Sequence, residues 1–184
     1  MSEQLLYGGA FSVTLPVTRH DMSVIRQIPD NQEVFAHPNT DQSIIIELLE
    51  AVDAQEPDEV AISTHFNDIA SANGAQDSKI LHTEQILNSN IAMEEAASCW
   101  YFLGEQTIAK YNEAATNTVE LHMGLLRIPS FSTDILVTFN DPVNISVDSS
   151  SHQAVPTSVV RWNKDDFRTV LTSLKLLDAG IFGV

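Results

Sequence analysis

Cysteine is almost missing from this 184-residue chain. Cys99 is the single one, so no disulfide can close within the chain, and a reducing compartment is expected. Bases are scarce too: nine Lys and Arg face 25 Asp and Glu, a net charge of −16. Such a charge repels phosphate backbones and anionic lipid headgroups, which argues against nucleic acid or bare membrane as a partner. No run approaches the roughly 18 uninterrupted apolar residues of a membrane-spanning helix. The opening MSEQLLYGGAF lacks the basic region and apolar core of a secretory signal. Motifs that carry chemistry are missing as well. The histidines His20, His37, His65, His82, His122 and His152 fall in no HExxH or other ligand spacing, and with one cysteine no metal is expected. Neither GxGxxG nor GxxxxGK[ST] occurs, so no glycine-rich loop is expected to hold a nucleotide, and no cofactor is implied. No GxSxG elbow appears. Cys99 sits in an apolar run before Trp100, the setting of a buried structural thiol.

What is present is enough apolar residue, 43%, to build a core. The length and the lack of a linker predict one domain over residues 1–184. Leu5–Tyr7 and Phe11–Leu15 read as strands around Gly8-Gly9, which supplies the positive φ of a hairpin turn. Asp21-Met22-Ser23 opens at most a turn or two of helix before Pro29. Gln32–His37 reads as a short strand. Thr40 or Asp41 then caps a predicted helix in which Ile44, Ile45, Leu48, Leu49 and Val52 form one face at roughly 100° per residue. Pro57 starts a second helix that Asn73-Gly74 ends. Strands follow at residues 79–87, 98–110, Thr118–Ile128 and Thr133–Asn140, the last two meeting across Pro129–Ser132. Residues 142–158 predict a mobile loop. Asn163 caps a final helix with a Phe167, Val170, Leu171, Leu174, Leu177 stripe, and Trp162 stands where a staple onto Phe167 would be. Strands outnumber helices and are joined mostly as hairpins, so the expected class is α+β, an antiparallel sheet covered by helices.

The acids are unevenly spread. Residues 1–60 hold 11 acids and only two bases, Arg19 and Arg26. Between Asp21 and Glu50 they lie at Asp21, Asp30, Glu33, Asp41, Glu47 and Glu50, and no Lys or Arg follows Arg26 before Lys79. On the predicted helix Glu47 and Glu50 share the exposed face, where like charges repel slightly. Paired carboxylates can do acid–base work, but an exposed face leaves neither desolvated enough for it. A solvated surface and a docking face for a basic partner both remain open on the residues alone.

Several segments are more specific. LYGGAF (Leu6–Phe11), RQIPDNQEVF (Arg26–Phe35), TDQSIIIELLE (Thr40–Glu50), HFNDIA (His65–Ala70), LLRIPSFSTDILVTFN (Leu125–Asn140) and IFG (Ile181–Gly183) occur in an order and spacing that resemble the Ran guanine nucleotide release factor family. Residues 74–110 and 142–158 match poorly. The resemblance implies a fold like the photosystem II oxygen-evolving P subunit, a roughly six-stranded antiparallel sheet flanked by helices on both faces. It implies a monomeric protein of nucleus and cytoplasm that binds the GTPase Ran, promotes release of GTP from it and supports nuclear import, with a second Ran-binding protein as a further partner. It implies no catalysis by this chain. A Ran-linked or channel-trafficking adaptor without release activity is the alternative. By resemblance the Ran-binding residues are Asp21, Asp30, Glu33, Asp41, Glu47 and Glu50, whose bases would stand on Ran. Phe35 is the first apolar candidate for the same contact.

Overall fold

The computed structural model describes residues 1–53, 55–109, 116–144 and 159–183. Its longest strands show why the chain builds a sheet with two buried faces. Along Thr133–Asn144, Ile135, Val137 and Phe139 enter one core, while Leu136 enters another. Along Thr116–Ile128, Leu126 and Ile128 join the first core, and Leu121, Met123 and Leu125 join the second. Alternate residues of a strand point to opposite faces, so a near-continuous apolar run is what a doubly covered strand needs.

In chain order the strands are β1 (Ser2–Leu6), β2 (Phe11–Leu15), β3 (His20–Asp21), β4 (Gln32–Ala36), β5 (Ser43–Glu50), β6 (Asp77–Ile86), β7 (Ser98–Ala109), β8 (Thr116–Ile128), β9 (Thr133–Asn144) and β10 (Lys175–Leu176). The helices are α1 (Asp58–Ala72) and α2 (Lys164–Ser173). Seven strands form an antiparallel sheet in the order β3-β4-β5-β9-β8-β7-β6, and β1-β2-β10 form a small second sheet. The small sheet and α2 cover one face of the large sheet; Phe167, Val170 and Leu171 of α2 pack there with Phe11, Val13 and Tyr101. α1 covers the other face through Ala61, Ile62 and Phe66. Helices therefore flank both faces, as expected, around seven strands rather than six. No helix among the described residues is long and apolar enough to cross a membrane.

Helix α2 begins as read from the sequence. The Asn163 side chain accepts from the backbone N–H groups of Asp165 and Asp166, and Asp166 accepts from the Asn163 N–H, a closed capping box. Trp162 and Phe167 both pack on Phe139, at ring separations of 6.4 and 6.1 Å. The apolar stripe stops short of Leu177, which is exposed, because the chain leaves the helix at Leu174 and turns into β10. Residues 145–158 of the predicted mobile loop lie outside the described residues; residues 142–144 belong to β9.

The predicted helix over residues 40–52 is a correction. Ser43–Glu50 is strand β5, hydrogen-bonded to β4 on one side and β9 on the other. The run Ile44-Ile45-Ile46 suits the pleated backbone, since branching at Cβ restricts χ1 against a helical turn. Short apolar runs fit both periods, and the two neighbouring strands decide between them.

Gly124 of β8 shows how closely α2 is seated. A Cβ built there would lie 2.3 Å from Leu171 Cδ1 and 2.6 Å from its Cδ2. Gly124→Ala should therefore cost about 1–3 kcal/mol through overpacking, read from urea denaturation. Combining it with Leu171→Ala should cost less than the sum of the two single changes, because the truncated Leu171 makes room for the new methyl. Simple additivity would mean that α2 shifts away without strain.

Candidate functional site

The acidic stretch 21–50 folds as a hairpin at one end of the large sheet, strand β3 outermost, then β4 and β5. Register places the six acids in three positions. Asp21 pairs with Phe35, and Glu33 stands two residues before Phe35, so these two acids share the face toward the small sheet. Burial pushes the Glu33 carboxyl upward and the Asp21 charge adds to this, while a hydrogen bond from the Tyr7 N–H works against it. Asp30, Glu47 and Glu50 gather at the open end of the hairpin, where Asn31 and Leu48 exchange hydrogen bonds. Asp41 stands at the closed end, in the turn before β5. Asp30, Asp41 and Glu50 are exposed; Asp21, Glu33 and Glu47 are half-buried. Among the described residues none of the six is in a salt bridge.

The strand changes the geometry expected for Glu47 and Glu50. Three residues apart on a helix they would be neighbours on one face; three apart on a strand they point to opposite faces. Glu47 turns toward the α1 face and accepts a 2.6 Å hydrogen bond from Gln32 Nε2. Its carboxyl is raised by burial, against the Gln32 hydrogen bond and the nearby His65, both of which lower it. Glu50 turns the other way and is exposed. Phe35, the expected apolar contact, is only 1% exposed and belongs to the core, so it cannot meet a partner.

Two supports of this hairpin went unread in the sequence. The first is Tyr7. Its backbone sits in the left-handed region at φ 50°, before Gly8 and Gly9 at positive φ. Its N–H donates to Glu33 Oε1 at 2.6 Å and its hydroxyl donates to the Ile46 carbonyl at 2.7 Å. The LYGG turn thereby locks the small sheet onto β4 and β5, and Glu33 spends one oxygen inside the fold. Burial, with Glu33 and Glu47 nearby, keeps the Tyr7 phenol neutral far above its ordinary range.

The second is a buried ionic cluster under the segment that leaves β5. Arg127 donates through Nε to Asp134 Oδ1 at 3.3 Å and through Nη1 to Asp58 Oδ1 at 3.0 Å. Its remaining donors reach the carbonyls of Val52, Asp53 and Glu56. Asp134 Oδ2 in turn accepts from the Val52 N–H at 3.1 Å and lies 2.9 Å from His65 Nε2. Trp100 Nε1 donates to Asp58 at 2.8 Å. Burial acts against the Asp58 carboxylate, yet the bonds from Trp100 and Arg127 bring it below the ordinary range. Glu50 is thus followed by a chain held from beneath, which sets where β5 ends.

The hairpin offers negative charge on a braced support, with Asp30, Asp41 and Glu50 exposed to solvent. Cys99 is buried and its thiol is pushed up to about 12.

A family model described as Mog1, the Ran-interacting Mog1 protein, matches residues 4–142. The chain belongs to this Mog1 family. It is 50% identical over 181 residues to the Ran guanine nucleotide release factor of Danio rerio, covering 97% of this chain and 98% of the relative. It is 33% identical to the nuclear import protein mog1 of Schizosaccharomyces pombe, covering 96% of this chain and 98% of the relative. A solved structure of a Mog1 mutant superposes with a TM-score of 0.70 over 98% of each chain at 21% identity, which shows the Mog1 fold here. The matched residues 4–142 contain Tyr7, all six acids, Arg127 and Asp134.

Proposed function

We propose that this protein binds Ran, promotes release of guanine nucleotide from it and serves nuclear import, and that it does so as a binding protein without bond chemistry of its own. The observation that carries this reading is the near full-length identity to a Ran guanine nucleotide release factor. Asp21, Asp30, Glu33, Asp41, Glu47 and Glu50, none in a salt bridge among the described residues, are the proposed contact residues, with Asp30, Asp41 and Glu50 freest to meet bases on Ran. Release then follows from linkage: a protein that binds nucleotide-free Ran more tightly than loaded Ran weakens nucleotide binding by the same factor. The protein acts as a monomer in nucleus and cytoplasm, with a second Ran-binding protein as a further partner.

Purified Ran loaded with fluorescent GTP or GDP tests this directly. Adding the protein should accelerate release, and pull-down should favour empty Ran over both loaded forms. The association rate should fall steeply with salt, since exposed charges are screened over about 8 Å at physiological ionic strength. Binding without faster release would make the protein an adaptor. Absence of both binding and release would remove the proposal.

A further inference from the structure

We infer that the turn Met22–Ile25 is the apolar centre of the Ran-docking surface, and that Val24 and Ile25 are the side chains Ran covers. This rests on the Ran-binding reading above and adds to it an apolar contact that the six acids do not supply. Val24 is 83% exposed and Ile25 66%. They are the only two exposed large apolar residues adjacent in the chain among the described residues. Scattered single apolar residues on a surface are ordinary, but a contiguous pair rimmed by polar groups is the anatomy of an interface centre.

The pair is also held in place. Asp21 Oδ1 accepts from the Ser23 N–H at 2.9 Å and the Ser23 hydroxyl at 2.6 Å. The Met22 carbonyl accepts from the N–H groups of Ile25 and Arg26, both at 3.0 Å. β3 carries the turn into register with β4, which places it beside Glu33. A turn ordered before binding loses little freedom on binding. Asp21 and Glu33 border the pair, and Asp30 lies on the same connection into β4. The occupant is Ran, the partner by which the family is described, with bases facing Asp21 and Glu33. Arg26 is exposed beside Ile25 and would meet an acid at the edge of that contact.

The division of labour predicts distinct kinetics. Exposed charge governs encounter, whereas buried aliphatic contact governs residence time. Val24→Ser with Ile25→Ser should leave melting unchanged, raise the Kd for empty Ran about 100-fold and act mainly on dissociation. The salt dependence of association should stay that of the parent, and Val24→Ile with Ile25→Val should retain binding. In the unaltered protein, methyl resonances of Val24 and Ile25 should shift when Ran is added, which tests the contact without any variant. Parent-like Kd in the double Ser variant, or silent methyls on a protein that does bind Ran, overturns this inference and leaves the Ran reading intact. Failure of the unaltered protein to bind Ran removes both. Self-association lost in the double Ser variant, with Ran binding unchanged, would assign the patch to a second copy instead and overturn the inference.

Discussion

Arg127→Met is expected to destabilise the protein by about 3–5 kcal/mol, because it strands a buried carboxylate without its cation. Asp134 is 0% exposed and Arg127 only 5%. The two stand opposite each other in the β8–β9 register, and α1 closes over them through His65. Removing the guanidinium also frees the carbonyls of Val52, Asp53 and Glu56. In urea the midpoint should fall with the slope unchanged, and the melting temperature should drop by roughly 6–20 °C. Adding Asp134→Asn to the same chain should restore part of the loss, since the uncompensated charge goes with it. A loss below about 1 kcal/mol for Arg127→Met would mean that water reaches Asp134 and that the cluster does not hold the segment after β5. In the folded fraction Ran binding should weaken as well, because that segment sets the end of the strand carrying Glu47 and Glu50.

Reversing Asp30, Asp41 and Glu50 together to Lys is expected to abolish Ran binding and nucleotide release while the protein melts nearly as before. All three are exposed and none is in a salt bridge among the described residues, so each change should stay within about 0.5 kcal/mol. Three attractive contacts with a basic partner become repulsive, and like charges brought together across an interface cost several kcal/mol. At about 1.4 kcal/mol per decade that is two to three orders of magnitude in affinity. The loss should appear first in the association rate and shrink at high salt. Glu47 is left out deliberately: it is half-buried and bonded to Gln32, so Glu47→Lys would disturb the fold and confuse the two effects. A triple variant that melts normally and still releases nucleotide at the parent rate would reduce these acids to a solvated surface. The Met22–Ile25 turn would then have to carry recognition alone.

Several features were legible from residues alone because their causes are local. Asn163 announces the start of α2, Pro57 that of α1, and Gly8-Gly9 a turn with positive φ. The β8–β9 hairpin follows from two apolar runs around Pro129–Ser132, and the acidic surplus before residue 60 needs only counting. Even the Arg127–Asp134 pair was within reach: these residues stand one step outside Ile128 and Thr133, symmetric about that turn, so a hairpin must place them side by side. What lay beyond the sequence was set by neighbours distant in the chain. Residues 43–50 satisfy a helical period, and only β4 and β9, the latter some 90 residues away in sequence, hold them extended. That single choice between periods sent Glu47 and Glu50 to opposite faces. Burial is likewise a property of the assembled layers. It took Phe35 into the core and left Val24 and Ile25 outside, although all three are apolar residues within one acidic stretch. Composition determined that this protein presents a negative surface, whereas tertiary packing decided which of its side chains a partner can touch.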